Sequence, residues 1–222
     1  MTDIAIVDYG MGNLRSVSKA LEHVAPTASI TVTDDPEVVR KAGRVVVPGQ
    51  GAMPDCLREL DARGLRDAVL EAANSKPFLG ICIGLQMLFE SSEEGDVKGL
   101  GIVAGKVLRF PSTAMVNANG QKLKVPHMGW NEVHRTTEHA LWKDIASDAR
   151  FYFVHSYYVE TASPEPAAAF SLYPFPFTCA VAKNNIFAVQ FHPEKSHEAG
   201  LTLLRNFVQW EPCSETNNQV RM

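Results

Sequence analysis

The feature that most constrains this chain is the alternation, through its first half, of short apolar runs with segments of helical period. Ile4-Ala5-Ile6-Val7, Ile30-Thr31-Val32-Thr33, Arg44-Val45-Val46-Val47 and Pro77-Phe78-Leu79-Gly80-Ile81 read as four strands. The first is apolar throughout and closes on Asp8-Tyr9-Gly10, the profile of a strand buried on both faces. The third stops at Pro48-Gly49. Between the strands, Leu14, Val17, Leu21 and Val24 recur at helical spacing, as do Leu65, Ala68, Val69, Ala72 and Ala73. Asp34-Asp35-Pro36 opens a short helix with an N-cap and an early proline. Leu85-Gln86-Met87-Leu88-Phe89 favours another helix after the fourth strand. Strands alternating with helices need right-handed crossovers, so the expected class is α/β: an open, mostly parallel sheet flanked by helices on both faces.

The second half changes character. Segments 101–110 and 122–133 read as strands flanking a loop, with Asn119-Gly120 as a turn signal. Phe151-Tyr152-Phe153-Val154-His155 is a further strand, and 163–178, rich in proline and aromatics, reads as a loop. Cys179-Ala180-Val181-Ala182 and the run from Ile186 through Phe191 form a hairpin around Lys183-Asn184-Asn185. Leu201, Leu204 and Val208 mark a last helix. An antiparallel extension therefore completes one domain over residues 1–210, and 211–222 is a polar tail.

Composition narrows the function classes. At 222 residues, 45% hydrophobic and 21% charged, the chain can bury a substantial core. A net charge of −4 offers no electrostatic footprint for nucleic acid or an anionic membrane. No run approaches the ~18 apolar residues of a membrane span. Met1-Thr2-Asp3-Ile4-Ala5 lacks the basic flank of a signal peptide, so a cytoplasmic protein is expected. The four cysteines, Cys56, Cys82, Cys179 and Cys213, form no Cys-x-x-Cys pair, so neither a disulfide framework nor a zinc site is expected. Cys56 and Cys179 read as small buried hydrophobes, and Cys213 as an exposed residue of the tail.

Cys82 differs, because Gly80-Ile81-Cys82-Ile83-Gly84 has the Gly-x-nucleophile-x-Gly form at a strand-to-helix corner. Such a corner strains the nucleophile's backbone and leaves no room for side chains at the flanking glycines. It lifts the sulfur to the carboxyl end of the strands, where open α/β sheets bind ligands. It also sets the thiol at a helix N-terminus, which favours the thiolate, and points the Ile83 N–H towards a developing oxyanion. Alone, the motif fits a buried cysteine in a tight turn equally well. A second element is Gln190-Phe191-His192-Pro193-Glu194, where an apolar strand ends in an imidazole with a carboxylate two residues on. In an extended chain those side chains share a side, and Pro193 keeps His192 out of helical conformation. Cys82, His192 and Glu194 thus have the makings of nucleophile, base and orienter. Val47-Pro48-Gly49-Gln50-Gly51 adds backbone N–H groups of Gln50 or Gly51 as the other half of an oxyanion hole.

Together these motifs resemble the class I, triad-type glutamine amidotransferases, over roughly 4–210 and in the expected order. Asp8-Tyr9-Gly10-Met11-Gly12-Asn13-Leu14, Pro126-His127-Met128-Gly129-Trp130-Asn131, Phe153-Val154-His155-Ser156-Tyr157-Tyr158 and His192-Pro193-Glu194-Lys195-Ser196 are similar to the glutaminase subunits of imidazole glycerol phosphate synthases. Gln50 departs from the pattern, which often has an aliphatic residue between the two glycines. The resemblance implies hydrolysis of glutamine by Cys82, His192 and Glu194, with no cofactor and no metal. It implies substrate binding by Gly49, Gln86, Ser156 and Tyr157. It also implies a heterodimer in which Asn13, Trp130, Tyr152 and Lys195 lie near a (β/α)₈-barrel cyclase that receives the ammonia. Trp130 and Tyr152 fit core packing as well. His127, His155 and His197 have no assigned chemistry. Three other readings stay open at this point: a glutaminase serving a different synthase, a cysteine hydrolase of peptides or small amides, and a non-catalytic scaffold.

Overall fold

The computed structural model describes residues 3–111, 115–116 and 120–212. Cys213, Asn119 of the expected turn and the tail beyond residue 212 lie outside the described residues. The strands are β1 (Ile4–Val7), β2 (Ile30–Thr33), β3 (Arg44–Gly49), β4 (Phe78–Cys82), β5 (Phe89–Ser92), β6 (Val97–Lys98) and β7 (Val103–Arg109). They continue with β8 (His127–Glu132), β9 (His134–Arg135), β10 (Arg150–His155), β11 (Tyr157–Thr161), β12 (Ala167–Leu172), β13 (Pro176–Lys183) and β14 (Ile186–Val189). The helices are α1 (Leu14–Val24), α2 (Pro36–Lys41), α3 (Met53–Ala62), α4 (Arg66–Ser75), α5 (Ile83–Gln86) and α6 (His197–Gln209).

The main sheet runs β2-β1-β3-β4-β14-β13-β11-β7-β5-β6. Its first five strands are all parallel, and β13, β11 and β7 continue it antiparallel. Strands β1, β4 and β14 are buried at every residue, as their unbroken apolar runs require. Helices α1 and α6 pack together, as do α2 and α4. Asp35 caps α2 by accepting from the Glu37 N–H at 2.8 Å. At the foot of the sheet, Asn185 in the β13–β14 turn donates to the carbonyls of Ala73 at 2.8 Å and Lys76 at 2.5 Å. That contact ties the hairpin to the C-terminal end of α4.

Four local expectations change. Helix α3 was not foreseen, although Met53, Cys56, Leu57 and Leu60 are buried at helical spacing behind a proline in the first turn. The helix after Cys82 is one turn, and Phe89 already belongs to a strand. The carbonyls of Met87 and Leu88 take the N–H groups of Leu100 and Ile102 at 2.7 and 2.9 Å, so tertiary pairing overrides the helix propensity of that segment. Strand β3 continues through Pro48 to Gly49, and the Pro48 carbonyl accepts the Tyr9 hydroxyl at 2.5 Å. The expected loop at 163–178 contains β12 and the start of β13. There Ala168, Ala169 and Ser171 are fully buried, and burial against β13 outweighs the poor strand preference of alanine.

Candidate functional site

Strand β4 carries Cys82 to the carboxyl end of the parallel strands. Its backbone there has φ +57° and ψ −108°, a conformation that a side-chain-bearing residue adopts only under constraint. The flanking glycines supply that constraint. A Cβ on Gly80 would meet the Gly84 carbonyl oxygen at 2.8 Å and the Ala188 Cβ at 3.0 Å, and one on Gly84 would fall on the Val47 carbonyl of β3. Only glycine at both positions lets the corner close. Because α5 is a single turn, its dipole contributes little to holding a thiolate.

The positive charge comes instead from the neighbouring strand. Val189 pairs with Ile81, so β14 ends beside Cys82 and leads into Gln190, Phe191 and His192. His192 Nδ1 lies 2.9 Å from Glu194 Oε1, with both side chains almost wholly buried. A carboxylate can only accept, so Nδ1–H donates to it. The approach differs from an extended i, i+2 pair: His192 is extended, but Glu194 reaches back through a 3₁₀ turn over Pro193–Lys195. Burial pushes the His192 pKa down, yet the Cys82 and Glu194 charges outweigh it and hold the imidazole up at about 10. Its Nε2 is buried without a hydrogen bond among the described residues, near enough to Cys82 for this coupling but short of a formed bond. Ser196 fixes the backbone at His192: its hydroxyl donates to the His192 carbonyl at 2.6 Å and accepts from the Tyr152 N–H at 2.9 Å. The His192 N–H in turn donates to the Tyr152 carbonyl at 2.9 Å.

A cavity of about 400 Å³ opens over the sulfur, lined by Cys82, Ile83, Gln50, Gly51, Gln86, Ser156, Tyr157 and Lys195 among others. The structure thus gathers residues from β4, the loop after β3, the start of β11 and the 3₁₀ turn. Gly49 does not line the cavity; it faces Cys82 across the β3–β4 register, its missing Cβ giving room to the Tyr9 hydroxyl and Ile83. The Cys56 thiol donates to the Gln50 carbonyl at 3.4 Å, which fixes that peptide plane in the loop. Burial pushes the Cys56 thiol up to about 12 and that of Cys179 higher still, so both stay protonated and inert.

Of the four residues expected near a partner, Trp130 and Tyr152 face each other across β8 and β10, their rings edge-on at 6.0 Å. Trp130 also stacks on His197 at 4.8 Å while staying 37% exposed, so it is at once a packing residue and a surface one. Met128, on the same outward face of β8, is 62% exposed. Asn13 precedes α1, where its carbonyl accepts the Val17 N–H, and does not line the cavity.

Sequence reasoning passed over Gln190, which is wholly buried and donates from Nε2 to Cys82 Sγ at 3.6 Å. A polar residue closing an otherwise apolar strand run, two positions before His192, was the available signal. It also left His127 and His155 without a role. They form a buried pair, His127 Nδ1 lying 3.0 Å from His155 Nε2, and His155 Nδ1 lies 2.7 Å from the Tyr157 carbonyl. Burial brings their pKa values down to about 4 and about 3, so both rings are neutral.

The family model for glutamine amidotransferase class I matches residues 5–210. The chain belongs to the class I glutamine amidotransferase family. Within that family it is 76% identical over 212 residues to the imidazole glycerol phosphate synthase subunit HisH of Nitrosospira multiformis, covering 96% of this chain and 100% of that protein. It is 67% identical over 210 residues to the HisH subunit of Thiobacillus denitrificans, covering 95% and 92%. Among solved structures, PurLQS from Thermotoga maritima superposes with a TM-score of 0.66 at 18% identity, covering 94% of this amidotransferase and 99% of that chain. At that identity the likeness speaks for the fold alone.

Proposed function

We propose that this chain is the glutaminase subunit of an imidazole glycerol phosphate synthase, releasing ammonia from the side-chain amide of glutamine for a cyclase partner. The observation that carries the reading is a cysteine on a glycine-framed corner, opening on a cavity and coupled to a buried His–Glu pair at the end of the adjacent strand. The near full-length likeness to HisH subunits selects this synthase over others of the class.

In this reading the Cys82 thiolate attacks the amide carbonyl of glutamine, and the oxyanion is held by backbone N–H groups of Ile83 and of Gln50 or Gly51. One such donor is worth ~3–4 kcal/mol. His192, held as imidazolium by Glu194, protonates the departing ammonia. As neutral imidazole it then takes a proton from the water that opens the γ-glutamyl thioester, and glutamate leaves. Gln86 Oε1, a buried acceptor without a partner among the described residues, is suited to a donor of the substrate, with Ser156 and Tyr157 lining the same cavity and Gly49 keeping the cysteine corner open behind it. Ammonia passes to a (β/α)₈-barrel cyclase bound as a heterodimer, on the side presenting Asn13, Trp130, Tyr152 and Lys195, and reacts there with a phosphorylated ribulosyl carboxamide nucleotide. The reading also places the protein in the cytoplasm. Among the described residues no helix is long and apolar enough to cross a membrane.

The test is synthesis by the reconstituted complex, with glutamine or ammonia as nitrogen source. Cys82→Ala is expected to abolish glutamine-dependent synthesis and leave ammonia-dependent synthesis intact. Retention of the glutamine-dependent reaction would overturn the assignment.

A further inference from the structure

Beyond the triad, the structure assigns Gln190 as a positioning residue that donates a hydrogen bond to the Cys82 thiolate through an amide whose orientation a buried chain of hydrogen bonds dictates. This rests on the glutaminase reading and adds a residue to it. Which end of a glutamine amide faces a sulfur is normally ambiguous, but here the neighbours decide. The Tyr157 carbonyl can only accept, and Gln86 approaches it at 3.3 Å, so that contact is made by the Gln86 NH₂. The same nitrogen lies 3.0 Å from Gln190, which must therefore present Oε1 to it. The NH₂ of Gln190 is left facing Cys82 Sγ at 3.6 Å.

The chain extends further. The Tyr157 carbonyl also takes the Nδ1–H of His155, which leaves the Nε2 of that neutral ring to accept from His127 Nδ1–H. His127 Nε2 then faces the Asn131 amide at 3.4 Å, and the same amide donates to the Leu172 carbonyl at 2.8 Å. The donors from Asn131 through His127 and His155 converge on the Tyr157 carbonyl, and from Gln86 the donors lead the other way to Gln190 and the sulfur, so neither glutamine amide can flip without stranding a buried polar group. Gln190 is fully buried, so water does not compete for its N–H. The titratable groups around Cys82 are His192 with its partner Glu194, the cavity-lining Glu94, Lys195, His155 and Tyr157, and Tyr9 and Cys56. Burial keeps the last two uncharged, and Gln190 supplies a neutral donor to the sulfur beside the His192 imidazole.

The experiment compares Gln190→Met, which keeps length and burial but lacks the donor, with Gln190→Glu, which keeps shape and sets a carboxylate against the sulfur. Both are assayed in the reconstituted complex for kcat and KM with glutamine, and for the rate of Cys82 alkylation by iodoacetamide against pH. Gln190→Met is expected to slow alkylation at pH 7 about tenfold, moving the profile to higher pH, and to lower kcat by a similar factor; one hydrogen bond to a charged acceptor has that scale. Gln190→Glu should move the profile further in the same direction. Superimposable alkylation profiles for wild type and Gln190→Met overturn the inference, and should that variant not fold, the Gln190→Glu profile decides in the same way. If Cys82→Ala abolishes glutamine-dependent synthesis while the Gln190 variants match wild type, this inference alone fails. If Cys82→Ala does not abolish it, the glutaminase reading fails.

Discussion

The buried histidine pair makes the stability of this chain depend on pH in a way that one substitution can isolate. His127 is 3% exposed, stacked between Tyr173 at 3.8 Å and Phe153 at 4.9 Å, with His155 and Asn131 as its polar neighbours. None of these can compensate a positive charge, and burial lowers its pKa from 6.5 to about 4. In the unfolded chain it titrates near 6.5. Between those values the unfolded state binds the extra proton, so the contribution is present above 6.5 and is lost as pH falls towards 4, at ~1.4 kcal/mol per pH unit for one full proton. From pH 6.5 to 4.5 this amounts to about 2 kcal/mol. In His127→Gln the titrating ring is gone while an amide can still donate to His155. The variant should be less stable at neutral pH through lost packing, and its deficit should shrink by about 2 kcal/mol between pH 6.5 and 4.5. Urea unfolding of both proteins at the two pH values measures this directly, because carboxylates common to both cancel. A deficit that is the same at both pH values would refute the argument that His127 is carried neutral.

Two further predictions follow from named contacts. Glu194→Gln replaces the acceptor-only carboxylate that fixes the His192 tautomer with an amide that can also donate to Nδ1, and removes one of the two charges raising its pKa, so glutamine-dependent kcat should fall roughly 10²–10⁴-fold, with ammonia-dependent synthesis in the complex unchanged. Asn185→Ala strands the carbonyls at the end of α4 and should cost about 1–3 kcal/mol in urea unfolding, without altering the Cys82 alkylation rate.

The parallel half of the fold was legible because strands buried on both faces leave long apolar runs, as at Ile4–Val7, and because a crossover needs a helix between them. Helix α3 goes unassigned from sequence although Met53, Cys56, Leu57 and Leu60 follow helical period, since charged residues separate them and Pro54 stands at its start, where a proline fits the first turn of a helix. Strand β12 opens with three alanines, whose place in a strand comes from the surface they cover, which no local window displays. At the site, Cys82, His192 and Glu194 stood out because their chemistry needs glycine and proline at fixed offsets. Gln190 did not, since the role of an amide depends on which neighbours can only accept, and those lie far along the chain at Tyr157 and Gln86. The turn between His192 and Glu194 was likewise beyond an argument from extended spacing.

The insertion of β14 between β4 and β13 has a bearing on how the protein is made. The sulfur leaves the ribosome far ahead of its companions: Gln190 follows it by 108 residues, and His192 comes after that. At ~5–20 residues per second the nascent polypeptide carries an unassisted thiol for on the order of 5–20 s. Until the last hairpin slots into the sheet, that group lacks both the imidazole of His192 and the amide of Gln190.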